Sequence, residues 1–378
     1  MYETPETPAA SPSAPPSGPA EPTGPAEDPI ATSAAALEES LEAARQAVAD
    51  GCPQQEFLSL LTTELAGVTA QGPIAQAVLA RLTANLTGTA DTEASVSAGP
   101  SDDLRQVVAT AAPGAIVYLE AGDYPLPTTL VLLDSITLVG AGRDATTLTS
   151  AAPEVAVLVM TSEVVRLRDL SLQREVTVPG SGIVTGGTPT LVLEDVTVAG
   201  ARAAEAGGGG AGLDLTGGNE AEGPGRTTVE LTGVRLEDNG WAGLSVAGGQ
   251  RVSVQESEFV GNGECGACFL GSAEGSITDS EFRDNGVGLA AVGASAPVVR
   301  GNRFSGGEVG VQVGGTAVPT IDDNRISKAK RAAAIYTDTA GGVLRKTVCS
   351  KVDVGIALAK TALPSLMDND CTVVRADT

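Results

Sequence analysis

Histidine does not occur anywhere in the 378 residues. Its absence excludes Ser-His-Asp and Cys-His catalytic arrangements, histidine metal sites and an imidazole pH switch. Aromatic residues make up only 3%, and Trp241 is the sole tryptophan. A core must therefore be packed from Val, Leu, Ile and Ala, and a broad aromatic platform for stacking sugars is missing. Positive charge is scarce: 23 Lys and Arg stand against 47 Asp and Glu, a formal charge of −24. Such a chain repels phosphate, which excludes nucleic acid as a general partner, and it is kept soluble by its own charge. The scarcity is uneven. Residues 1–95 hold two basic residues, Arg45 and Arg81, against 13 acidic ones, whereas from Arg325 onward nine basic residues face five acidic ones. No apolar run reaches the length of a membrane-spanning helix, and no leader pattern is visible in the chain.

What is abundant is glycine, 47 residues, together with 22 prolines. Many tight turns follow. Residues 1–32 are rich in Pro, Ala, Ser and Glu, a composition that buries too little apolar surface to offset its ordering entropy, so a disordered linker is expected there. Residues 33–95 are expected to form a small helical segment. Leu37, Leu41, Ala44 and Val48 share a helical face, as do Phe57, Leu61 and Leu65, and again Ile74, Val78, Leu82 and Leu86. Pro73 suits the first turn of the third helix. One more short helix is expected over 102–112, with Ser101 as its N-cap, where it would cover the open end of a solenoid.

The strongest signal is a repeat. Phe259, Phe282, Phe304, Ile326 and Val348 follow one another at steps of 23, 22, 22 and 22 residues, with Leu236 before and Cys371 after. A second apolar series runs five residues ahead: Leu231, Val254, Ile277, Val299, Ile321, Val343 and Leu366. Turn residues sit between them at Val234, Ser257, Ser280, Asn302, Asn324, Thr347 and Asn369. Asn239-Gly240, Asn262-Gly263 and Asn285-Gly286 form a third series. A unit this short cannot hold a βαβ crossover, and the Leu/Asn consensus of leucine-rich repeats is absent. It fits one coil of three short strands. Successive coils then stack at about 4.8 Å, like on like, and Asn or Ser columns hydrogen-bond along the stack.

The segments 297–304 (PVVRGNRF), 319–326 (PTIDDNRI) and 364–371 (PSLMDNDC) resemble the repeat of right-handed parallel β-helix proteins of the pectin-lyase-like superfamily. The stretch 103–124, followed by 136–148, is similar to the usual entry of such domains, a cap helix running into a strand and a Gly-Asp-Tyr turn. The resemblance implies an all-β solenoid over residues 100–378 with an N-terminal cap helix. It implies little about activity, because the superfamily holds lyases, hydrolases, epimerases and non-catalytic adhesins. The histidine-containing elements of its polygalacturonases and alginate epimerases are absent here. A lyase would need only an Arg or Lys base, with Ca²⁺ held by carboxylates as the one cofactor left open.

Candidate sites follow from charge. Lys328, Lys330, Arg331, Arg345, Lys346 and Lys351 fall within two successive coils and form a local positive patch suited to an anionic glycan or cell-surface component; Trp241 is a candidate sugar contact. An outward column, Arg235, Glu258, Glu281, Arg303 and Arg325, is expected to pair Arg235 with Glu258 and Glu281 with Arg303. Asp322-Asp323, the only Asp-Asp pair of the repeat, reads as a solvated turn with Asp323 near Arg345. The Gly-rich stretch from Gly207 to Gly225 interrupts the repeat as long turns, and Glu205, Asp214, Glu220 and Glu222 could touch a cation or sugar there. Cys265 and Cys268 form a lone C-x-x-C without zinc spacing, to be read as a local disulfide or free thiols. Cys349 and Cys371 lie one coil apart, at disulfide range although one residue out of the expected register, which would leave Cys52 unpaired. A disulfide points to an extracellular or cell-envelope location. The whole reads as a non-enzymatic exported β-helix protein, structural or carbohydrate-binding, with a lyase acting on an acidic glycan as the alternative.

Overall fold

The computed structural model describes residues 72–87, 91–205, 209–216 and 227–375. The linker 1–32, the first two expected helices, Cys52, Glu220 and Glu222 lie outside them. The described chain is a right-handed parallel β-solenoid of about 11 turns, and every named strand pairing is parallel. One coil shows the plan: Arg251–Gln255 lies on a first face, Glu258–Val260 on a second and Cys265–Phe269 on a third. The third face is an 11-stranded sheet of its own, while the first two share a continuous sheet bent at a two-residue turn.

Two helices precede or enter the first coils. α1 spans Pro73–Thr87, with Pro73 in its first turn, and α2 spans Leu104–Thr110. The N-cap of α2 is Asp103, not Ser101: its carboxylate accepts the Arg105 amide. Leu104 and Val108 on α2 are buried and close the core at this end.

The interior is built of columns. Phe259, Phe282 and Phe304 stack with ring centroids 4.4 and 4.5 Å apart and planes inclined by 2° and 12°. The glycines of the third face exist to admit these rings. A Cβ on Gly266 would lie 2.7 Å from Phe282 Cδ1, and one on Gly288 would lie 2.6 Å from Phe304 Cδ1. Gly243, Gly266 and Gly288, at matched positions of the third face, are thus the imprint of the aromatic column on the facing wall. Asparagine columns hold the corners. Asn239 Nδ2 donates to Asn262 Oδ1 at 3.0 Å, and Asn262 Nδ2 donates to Asn285 Oδ1 at 2.9 Å. The same oxygens accept the backbone amides of Asn239 and Asn262. At the other corner the series Ser257, Ser280, Asn302 and Asn324 is linked in the same way.

The register differs from the sequence expectation in one coil. Ile326 pairs with Cys349 rather than Val348, and Ile321 pairs with Leu344 rather than Val343. The turn Lys328–Arg331 carries one residue more than its counterpart on the previous coil, since Ser305 pairs with Ser327 but Val309 pairs with Ala332. The extra residue shifts everything after it. Cys349 and Cys371 are therefore in register, not offset: the structure joins them by a disulfide with Cα atoms 5.1 Å apart.

Candidate functional site

Three candidate regions are built on this frame. On the first face, an open groove of about 360 Å³ is lined by Glu230, Arg251, Ser253, Glu274 and Ser276. Its one cation lies between two acids, so it offers no net positive charge.

The second region is the turn columns. From Asp169 onward, one residue at each bend between first and second faces adopts a left-handed conformation. The column runs Asp169, Asp195, Gly233, Glu256, Asp279, Gly301, Asp323, Lys346 and Asp368, with φ between +49° and +70°. A second left-handed column follows the second face, through Asp238, Gly261, Asp284, Gly306, Lys328 and Lys351. Asp and Gly suit such positions, and lysine suits them poorly. On the last coils lysine nevertheless occupies three of them, with φ of +56° at Lys328, +51° at Lys346 and +54° at Lys351.

The third region is the second face between those columns. Arg303 stacks on Arg325, Lys328 follows that strand, and Lys351 lies one rung beyond Lys328. Ser305, Ser327 and Ser350 occupy one matched row beside them. Among the described residues no carboxylate comes within 4 Å of Arg303, Arg325, Lys328, Arg331, Lys346 or Lys351. Lys330 is different: its Nζ lies 2.9 Å from Glu308, whose hydrogen bond and then charge raise the lysine's pKa. Arg345 is also occupied, 2.9 Å from Asp322.

That last contact corrects an expectation. Asp322, not Asp323, pairs with Arg345, because Asp322 and Arg345 are register partners on the side of the sheet away from the core, where Asp322 is nevertheless only 5% exposed. Asp323 is turned into the left-handed bend and gives only its backbone amide to the Arg345 carbonyl. Arg345 holds the Asp322 carboxyl below the usual carboxylate range by its hydrogen bond, and Arg300 at 3.9 Å adds to the effect. The outward column also pairs differently from expectation. Arg235 turns to Glu237 on its own strand at 2.7 Å, and Arg283 spans both Glu281 at 2.9 Å and Glu258 at 2.7 Å. Side chains two apart on one strand share a face, so Arg283 reaches its own glutamate and the diagonal one together. Arg303 is thereby left free.

Trp241 does not join the cations. It heads the row Trp241, Glu264, Gly286, Glu308 and Arg331, four rungs or roughly 19 Å from Arg331, with two acids between. Trp241 instead packs beside Cys265 and Cys268, which form a local disulfide with Cα atoms 6.0 Å apart. Of the long-turn acids, Asp214 accepts hydrogen bonds from Ser181 and Thr216. No group of three or more Cys, Asp or Glu able to hold a metal occurs among the described residues. No helix there is long and apolar enough to cross a membrane.

A family model described as a right-handed beta helix region matches residues 220–370. The chain thus folds as a right-handed parallel β-helix, and its repeats over residues 220–370 match the model of that region. Among solved structures, the β-helix resembles the A-module of Azotobacter vinelandii mannuronan C-5 epimerase AlgE6 at 15% identity and a TM-score of 0.51, covering 74% of this chain and 97% of that one. The AlgE4 A-module from the same organism is 17% identical with a TM-score of 0.48, over 70% and 89% of the two chains. Pectin methylesterase from carrot is 9% identical with a TM-score of 0.37, over 76% and 90%. No curated protein sequence is significantly similar to the β-helix. Likeness at such identities concerns the fold.

Proposed function

We propose that this β-helix is a non-catalytic module that binds an acidic polysaccharide outside the cytoplasm, through the second face of its last coils. The carrying observation is the set of unpaired cations, Arg303, Arg325, Lys328, Arg331, Lys346 and Lys351, in a chain whose formal charge is −24. Stacking Arg303 on Arg325 and placing Lys328 beside Lys351 sets like charges a rung apart, which costs stability when nothing neutralises them. Carboxylates elsewhere are plentiful, yet these positions receive none. A linear polyanion laid along the coil axis would neutralise one cation after another, and the serine row would meet its hydroxyls. The disulfides Cys265–Cys268 and Cys349–Cys371 support an oxidising compartment.

The test is affinity electrophoresis in gels carrying polygalacturonate, alginate or neutral glucan, with the triple variant Arg325→Ala/Lys328→Ala/Lys351→Ala alongside. Retardation by the acidic polymers only, weakened by salt and lost in the variant, is the expected result. Equal migration in all gels would overturn the reading. Release of unsaturated uronates at 235 nm, lost in Arg345→Ala, would replace binding by lyase activity.

A further inference from the structure

The two ends of the β-helix differ in charge and in closure. Over residues 72–87 and 91–144, which together build the capped end, eight acidic side chains face three basic ones, a net of −5. Over residues 325–375, which build the opposite end, nine basic side chains face four acidic ones, a net of +5. The capped end has its core closed by Leu104 and Val108. The opposite end exposes Leu363 at 75% and Met367 at 43%, together with Val373 and Val374.

Among the described residues the first face has a free strand edge at each end, Ser95–Ala98 at the capped end and Ser365–Met367 at the other. The Ile116 amide donates to Ala94 and the Glu120 amide to Ala98, so the backbone groups of Ser95 and Ser97 point to the free edge. The Ser365 amide donates to Gly342, and Met367 accepts from Lys346, so the backbone of Leu366 points to the other free edge. The two edges of a parallel sheet are complementary under simple translation, and unpaired edges seek a partner. One outward column runs unbroken from Ser97, through Tyr118 and Val139, to Asp322, Arg345 and Met367. Tyr118, 47% exposed, lies one rung in from one end of that column, and Met367 lies at the other.

We propose that copies of this chain associate head to tail, with the open coil of one copy seated on the acidic capped end of the next along the first face. Translation brings Leu366 to the free backbone of Ser95 and Ser97 and sets Met367 beside Ser97 and Tyr118, a thioether–aromatic contact. A two-fold contact between open ends would instead oppose two basic surfaces. Head-to-tail contacts do not close, so the product is a linear array.

Sedimentation velocity on the full chain tests this. Mean size should rise with concentration at low salt and fall as salt is added. Leu363→Lys/Met367→Lys blocks one end, and Tyr118→Lys or Ser97→Pro blocks the other. Each blocked variant should be monomeric alone, and an equimolar mixture should give dimers and nothing longer. Lys351→Glu/Lys360→Glu, which leaves the edge intact, should weaken association at least tenfold. A wild-type chain that stays monomeric at low salt, or a Tyr118→Lys variant that dimerises alone, overturns the proposal.

Discussion

Replacing Phe282 with alanine attacks the column on which the central coils are built. The ring is 1% exposed and touches a parallel ring on each side, Phe259 at 4.4 Å and Phe304 at 4.5 Å. Truncating a buried Phe costs about 3–5 kcal/mol, and each lost aromatic pair adds about 0.5–1.5 kcal/mol beyond burial. Two pairs are lost, and the wall facing the ring is Gly266, which has no side chain to fall into the void. The hydrogen-bonded rungs also resist collapse. The expected loss is therefore in the upper half of the range, about 4–5 kcal/mol. Solenoids unfold in segments, so the measurement is hydrogen exchange of the amides around Gly266, Phe282 and Phe304, together with denaturant melts. A coupled substitution sharpens the test. Gly266→Ala meets both the Phe282 ring at 2.7 Å and the Gly288 carbonyl at 2.6 Å. It should cost at least about 1 kcal/mol less in the Phe282→Ala background, because the ring clash is gone. A loss below about 1 kcal/mol for Phe282→Ala, or strict additivity with Gly266→Ala, refutes the column.

Asn262→Ala should cost about 2–4 kcal/mol in a denaturant melt, because the Asn239 amide and the Leu236 carbonyl lose buried partners. Cys349→Ser opens a closed loop of 22 residues. It should lower stability by about 3 kcal/mol, seen first as faster exchange in the final coil. Asp322 has its folded-state pKa depressed by Arg345, so its stabilising contribution is present above the unfolded carboxylate value and is lost as pH falls through the folded value. An acid titration of Asp322→Asn should thus diverge from wild type above about pH 4 and converge with it below. Lys328→Gly and Lys351→Gly should raise thermal stability slightly, by up to about 1 kcal/mol each, while weakening retardation by acidic polymers.

The fold was legible because a solenoid writes its geometry repeatedly. Each column samples the same environment many times, so Phe282, Asn262 and the glycines before Leu244 and Val311 repeat at the coil period. A single inserted residue in the turn Lys328–Arg331 hides easily, because the strands around it keep the same alternation and a one-residue slip costs nothing on paper. Side-chain partners were less legible than register. The outward column Arg235, Glu258, Glu281 and Arg303 stacks as expected, yet the ions pair along strands and on diagonals, where rotamers decide. The repeat spacing places Arg303 and Arg325 in that ladder, and only the ion-pair geometry frees them for the cationic face. Trp241 shares a row with Arg331, but the sequence does not give the four rungs between them directly as distance.

Placement of lysine in the left-handed columns carries the last step. From Asp169 onward these positions recur coil after coil, and at every site up to Asp323 except Glu256 they are filled by Asp or Gly, the residues for which that conformation is least strained. Lysine at positive φ gains no such relief and sacrifices about 1 kcal/mol per site relative to glycine. A chain under pressure only for stability would keep Asp or Gly on the last two coils as well. Lys328, Lys346 and Lys351 depart from that choice together, on adjacent rungs, beside Arg303 and Arg325, which have no carboxylate within 4 Å among the described residues. Three local costs on one face, all delivering positive charge to a chain of net −24, are the pattern of a surface shaped for an anionic partner at the expense of fold stability. The opposed effects expected of Lys328→Gly on melting and on polymer retardation follow from that trade, and a variant that gained stability without losing retardation would assign the lysines no role in binding.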